Sequence, residues 1–290
     1  MIRLELTGGR VLSILILVMS DEIITIQEEE NEAVGEEGLE EDAETQDGAQ
    51  EEPAANTERL EAMARAGLFY GRRKNKTHPR MRPFLAANRN TIELLDLTKT
   101  EPMLDKAVDF LGKVAAEGKT VLLVATQPAA RDLVAELAVE YGYPHVTTKW
   151  VGGTLTNFNV IRKRIGYFAN LKADKETGRL KSRSKKEMAR INRELASMTF
   201  LFSGIEKMDK LPNVMFIVNP KLHVTALREA KRIGIPTVAI LNTDTNPEIV
   251  EYPIPANDNS RVAVSFVLEE IKKAVGVARA VSAKAETDNK

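Results

Sequence analysis

Apolar residues along this chain fall into short blocks separated by polar turns. VLLVA (121–125), VMFIV (214–218) and TVAIL (237–241) are unbroken apolar runs of five residues. Such runs read as strands covered on both faces, as in a parallel sheet. TIELLDL (91–97) is a further strand, YPHVTTKW (143–150) a weaker one, and YPIP (252–255) a short edge candidate. Between them the period changes to that of a helix. Met103, Ala107, Phe110, Leu111 and Val114 share one helical face, with Thr100 as a cap and Gly118 as a stop. Pro128 opens a helix that runs to Tyr141, a third helix spans about 222–233, and an amphipathic one covers 260–279. Asn56 or Thr57 caps a helix through LEAMARAG. Strand and helix in alternation predict an α/β fold, a doubly wound, Rossmann- or flavodoxin-like parallel sheet with helices on both faces.

One insertion breaks the rhythm. In residues 156–208, Phe158, Ile161, Ile165 and Phe168 recur at spacings of 3, 4 and 3, and Met188, Ile191, Leu195, Met198 and Phe202 at 3, 4, 3 and 4. Two narrow seams separated by the polar KADKETGRLKS predict an antiparallel coiled-coil α-hairpin inserted in the domain. The organisation expected is an acidic, disordered extension over 1–56, the α/β domain over 57–279 and a flexible tail over 280–290.

Charge divides the chain in two. No Lys or Arg occurs from Val11 to Glu58, and residues 21–58 carry 16 Asp or Glu. From Arg59 onward there are 39 basic and 25 acidic residues, a net charge of +14. The partner that fits this part is nucleic acid. The insertion holds 13 basic and 5 acidic residues, and no acid occurs in residues 62–92. Within that acid-free stretch, YGRRKNKTHPRMRP reads as a loop or arm whose charge nothing nearby neutralises. The candidate nucleic-acid-binding residues are therefore Arg72, Arg73, Lys74, Lys76, His78, Arg80, Arg82 and Arg89, with Lys149, Arg162, Lys163 and Arg164 at the start of the hairpin. Near the amino terminus, VLSILILVM follows Arg3 and Arg10 as the apolar part of a signal peptide would. Nine residues fall short of the roughly 20 that span a bilayer, and no A-x-A site follows. The run reads as a buried or frayed strand, or as sequence upstream of the true start, and no membrane partner is expected.

The chemistry of a nucleotide enzyme, the alternative reading of such a fold, is thin. No G-x-G-x-x-G follows a strand and no G-x-x-x-x-G-K-[ST] is present. VLLVA is followed by TQPAAR, VMFIV by Asn219-Pro220, and TVAIL by NTDTN, where Asp244 is the lone acid. His78, His145 and His223 lack ligand spacing, so neither a metal nor a cofactor is expected. The absence of cysteine removes disulfides and thiolate chemistry. In KWVGGTLTNF, Gly152 and Gly153 follow the single tryptophan. A glycine pair can form an anion-binding nest. Without a Lys-Ser or Lys-Thr pair beside it, it reads better as a hinge into the hairpin, with Trp150 as a packing anchor beneath.

The motifs in order are Ala66-Gly67 with Gly71, NKTHPRMRPF, IELLDLTKTEPML, WVGGTLTNF, Lys185-Lys186-Glu187, MDKLPNVMFIVNP, ALREAKRIGIPTVAILNTDTNP and YPIPANDNS. Taken together, over about residues 57–279, they resemble the family of protein two of the bacterial small ribosomal subunit. The resemblance implies a doubly wound domain with a protruding hairpin and a structural, non-enzymatic role in translation in the cytoplasm. It implies a place between head and body of the subunit, bound to ribosomal RNA near the messenger exit, with neighbours that include ribosomal protein one. The chain departs from the family at Phe69-Tyr70-Gly71-Arg72, where H-F-G-H is usual, and at Asn219 and Asn242, where aspartates are common. Arg72 then adds a cation suited to phosphate.

Overall fold

The computed structural model describes residues 52–180 and 183–288. The chain divides into two compact units, Met1–Arg65 and Ala66–Lys290. The described part of the first is helix α1, Glu52–Arg65, which starts before the expected caps at 56 or 57. Arg65 pairs with Glu61 across one turn of it. The acidic and apolar stretches over 1–51 lie outside the described residues.

The second unit opens with a three-stranded antiparallel sheet of order β1-β3-β2, formed by β1 (Tyr70–Arg73), β2 (Leu85–Arg89) and β3 (Ile92–Leu95). Much of the basic stretch read as an arm is thus strand and 3-10 turn, at 74–76 and 79–84. Asn90 and Thr91, both at positive φ (49° and 68°), make the tight turn between β2 and β3. Gly71 is required by close approach. A Cβ there would lie 2.5 Å from the Glu93 carbonyl oxygen and 2.6 Å from Thr243 Cγ2. Helix α2 (Leu97–Ala116) follows, capped by Asp96, whose carboxylate accepts from the Thr98 N–H at 3.1 Å; the cap is not Thr100.

The main sheet is parallel throughout, with order β5-β4-β6-β7-β8. Its strands are β4 (Val121–Val124), β5 (His145–Val146), β6 (Val214–Val218), β7 (Thr237–Leu241) and β8 (Tyr252–Pro255), and YPIP stands at the edge as expected. Helices α3 (Pro128–Tyr141), α6 (Val224–Ile233) and α7 (Arg261–Asp288) connect or close it, and the insertion carries α4 (Phe158–Glu176) and α5 (Lys185–Phe202). α7 continues through residues 280–288, where a flexible tail was expected.

Alternation along the strands separates two cores. On one face Leu122, Val124, Met215, Ile217, Ala239 and Leu241 join a single cluster with Ala226 and Leu227 of α6 and with the insertion. On the other, Val121, Leu123 and Phe216 meet Leu111, Leu137, Ile271 and Val275 from α2, α3 and α7. The insertion itself holds α4 (Phe158–Glu176) and α5 (Lys185–Phe202), with a reciprocal capping box at Ser184 and Glu187 opening α5. Its predicted seam is the buried face. Ile161, Ile165, Phe168, Leu195, Met198 and Phe202 are buried, and Phe158, Met188 and Ile191 pack half-buried against them.

Candidate nucleic-acid interface

Ligands of a doubly wound sheet bind beyond the carboxyl ends of its strands. Here those ends are occupied by the protein's own polar groups. Asp258, 1% exposed, accepts hydrogen bonds at Oδ1 from Arg72 Nη2 (2.8 Å) and from Asn242 Nδ2 (3.1 Å). Arg72 Nη2 also donates to Asn259 Oδ1 at 3.2 Å, and its Nε stands 3.8 Å from Asp244 Oδ1. Lys221 pairs with Asp244 at 2.9 Å. Burial pushes the Asp258 carboxyl above its usual range, more than the Arg72 guanidinium and the Asn242 amide hold it down; the Asp244 charge adds to the rise. Its Oδ2 has no hydrogen-bond partner among the described residues.

Arg72 is therefore not the exposed phosphate ligand the sequence suggested. Its side chain is 20% exposed and serves as counter-ion to two carboxylates from distant sequence. The backbone reinforces this, for Arg72 N–H donates to Thr243 Oγ1 and His78 N–H to the Thr243 carbonyl, at 2.9 and 2.8 Å. Asp244 and Asp258 are already neutralised by Arg72 and Lys221. Among the described residues, no cluster of three or more His, Asp or Glu side chains is placed to hold a metal ion.

The remaining candidates differ in their freedom. Arg73, Lys74, Lys76, Arg82 and Arg89 are exposed and, among the described residues, form no ion pair. Arg80 is exposed but pairs with Glu248, which corrects the expectation of an unneutralised arm. His78 is half-buried, and its Nδ1 accepts from the Arg80 N–H at 3.2 Å. Lys149, Arg162, Lys163 and Arg164 are exposed near and on the first turns of α4. His223 is buried, 3% exposed; its Nε2 lies 3.4 Å from the Thr126 N–H, and burial lowers its pKa to about 4.

The loop after Trp150, which reads from sequence as a hinge rather than an anion nest, cradles an internal carboxylate. Glu229 of α6 accepts at Oε1 from Trp150 Nε1 (3.1 Å) and Gly153 N (2.8 Å). Its Oε2 accepts from Leu155 N (3.0 Å), Thr156 N (3.2 Å) and Thr156 Oγ1 (3.3 Å). Burial would raise the Glu229 pKa, but the donors of Gly153, Trp150, Leu155 and Thr156 outweigh it and hold the carboxyl below its usual range. Gly153 needs its glycine, since φ is 88°; Gly152 does not, because open space surrounds its Cβ direction. Trp150 packs half-buried on the core, as an anchor should, and its indole N–H gives it a fixed address. Sequence reasoning missed Glu229. The signal available was a lone acid on the inward face of an otherwise cationic helix, ALREAKRI.

Among the described residues, no helix is long and apolar enough to cross a membrane. Residues 63–278 match the family model of ribosomal protein S2. The chain is 41% identical over 216 residues to small ribosomal subunit protein uS2 of Coprothermobacter proteolyticus, covering 74% of this chain and 81% of the relative. It is 38% identical over 216 residues to the protein of the same name from Rhodopirellula baltica, covering 74% and 83%. With the Dehalococcoides mccartyi protein it shares 36% over 219 residues, covering 76% and 89%. Fold, motif order and these matches agree: the chain belongs to the ribosomal protein S2 family, whose members are structural proteins of the small ribosomal subunit and not enzymes.

Proposed function

We propose that the chain holds its place in the small subunit by binding small-subunit ribosomal RNA, in the cytoplasm, through the exposed cations of residues 73–89 and of the hairpin root. The observation that carries this reading is the group Arg73, Lys74, Lys76, Arg82 and Arg89. These five cations are exposed and unpaired among the described residues, on a scaffold pinned by Arg72 and Thr243. A rigid display of cations loses little entropy on binding and works by releasing counterions from the phosphate backbone. Other small-subunit proteins, ribosomal protein one among them, are the neighbours this placement supplies. The test is the salt dependence of binding to a small-subunit rRNA transcript. Each phosphate contact contributes roughly 0.7 to 0.9 to the log–log slope, so R73Q/K74Q/K76Q/R82Q should flatten it by about 3. The melting temperature should stay unchanged because these side chains are exposed. An unchanged slope in a folded variant refutes the role of this segment. Co-sedimentation with small subunits, with and without ribosomal protein one, tests the protein neighbour.

A further inference from the structure

Helix α6 has an outward face that the reading above does not use. Arg228, Lys231 and Arg232 are exposed and, among the described residues, make no ion pair. The spacings of three and four place them on one side of the helix, within about 6 Å of each other between Cβ atoms. Like charges so placed repel one another and weaken a helix. The helix dipole explains cations in the last turn, Lys231 and Arg232, but it does not call for Arg228. The only acid of α6, Glu229, is turned inward and gives the outer face no relief.

That inward acid also fixes where the face lies. Glu229 binds the indole of Trp150 and the backbone N–H groups of Gly153, Leu155 and Thr156. Lys149 immediately precedes this cradle and α4, with exposed Arg162, immediately follows it. Five hydrogen bonds accepted by one carboxylate therefore join two cationic elements that are more than 60 residues apart in sequence.

We propose that the outer face of α6 (Arg228, Lys231, Arg232) and the hairpin root (Lys149, Arg162) form one continuous binding surface for the phosphate backbone of RNA, with Glu229 as the residue that holds its two halves in register. The inference rests on the RNA-binding reading above and extends it from the hairpin root onto the outer face of α6, which that reading leaves out. Arginines and lysines one turn apart suit consecutive phosphates of a strand, and no carboxylate on the outer face of α6 opposes them.

The full-length chain and a small-subunit rRNA transcript supply the test. R228Q/K231Q/R232Q should fold normally and flatten the log–log salt slope by about 2, at roughly 0.7 to 0.9 per contact. The pair K149Q/R162Q should remove about 1.5 more when combined with it, and both should lose hydroxyl-radical protection at one shared stretch of RNA. Glu229→Gln, which leaves every surface cation in place, should weaken protection at that same stretch. If the α6 variant keeps the wild-type slope while the variant of residues 73–82 loses its own, the face is not an RNA site and the broader function stands. If wild-type protein shows no salt-dependent rRNA binding, both readings fail. Should the α6 variant bind RNA normally but lose an acidic ribosomal protein, the surface serves protein docking and the proposal is wrong. Separate, non-overlapping footprints for the two halves would also overturn it.

Discussion

Two buried carboxylates in this protein meet opposite fates. Glu229 receives five hydrogen bonds shared over both oxygens, and its pKa is held down although burial acts to raise it. Asp258 receives two, both at Oδ1, and stands near a second carboxylate, Asp244; its pKa rises although Arg72 touches it. Burial is the largest influence on Asp258, and the Arg72 charge with the Asn242 amide does not offset it; at Glu229 the donors together outweigh burial. The sign follows from the balance between desolvation and the donors that replace water at each oxygen. The Glu229 cradle is a satisfied joint. The Arg72 cluster is an incompletely satisfied one, with Asp258 Oδ2 and Arg72 Nε lacking hydrogen-bond partners.

The largest way to break this contrast is Glu229→Ala. It orphans the Trp150 indole and three backbone N–H groups at once, and should cost about 4 kcal/mol in urea unfolding. Glu229→Gln keeps part of the acceptor set and should cost less. The acid sensitivity tests the same joint. A depressed folded pKa gives stability that is complete above the ordinary glutamate value of 4.5 and is lost as pH falls below it. Glu229→Gln should flatten the stability curve in that range; an unaltered curve would mean that the carboxylate is not held ionised by its donors.

His223 offers a sharper control, because burial alone acts on it. Its pKa falls from 6.5 to about 4, so between these values the unfolded chain binds the proton more readily than the folded one. Stability is therefore complete above pH 6.5 and declines as pH drops toward 4, by about 3 kcal/mol in total. His223→Gln should remove that decline, as read from melting temperatures across the window. A variant with the wild-type decline would reassign it to other groups.

The smallest effect concerns Arg72. Its removal should cost about 2 kcal/mol at neutral pH, since it strands a buried carboxyl without its counter-ion. The raised Asp258 pKa means the folded state takes up a proton as pH falls toward the ordinary aspartate value of 3.8, so the cost of Arg72→Ala should shrink on acidification. R72A/D258N should be less damaged than Arg72→Ala alone, because the most buried carboxylate leaves with its counter-ion while Asp244 keeps Lys221. Equal losses in the single and double variants would dissolve the pairing.

The sequence by itself determined the central strands of the parallel sheet and the helices around them, but not β1 and β2, which lie in the acid-free stretch that holds the expected arm. The runs at 121–125, 214–218 and 237–241 are apolar because both faces of a parallel strand are covered, and that requirement is local enough to read without coordinates. The spacing of Ile161, Ile165, Phe168, Leu195, Met198 and Phe202 named the buried side of the hairpin for the same reason, since a helix period shows itself within two turns. The candidate RNA face was legible only as charge. Sequence could not separate Arg72, Arg80 and His78 from Arg73, Lys74 and Lys76, because the groups that engage the first three include residues up to 187 positions away. The acid-free run at 62–92 looked unneutralised for that reason. Only the tertiary structure decided that Asp258 meets Arg72, that Asp96 and not Thr100 opens α2, and that the anion in the glycine cradle is Glu229. Partner choice between charges depends on which loops the sheet brings together at its carboxyl ends, and no local period encodes that.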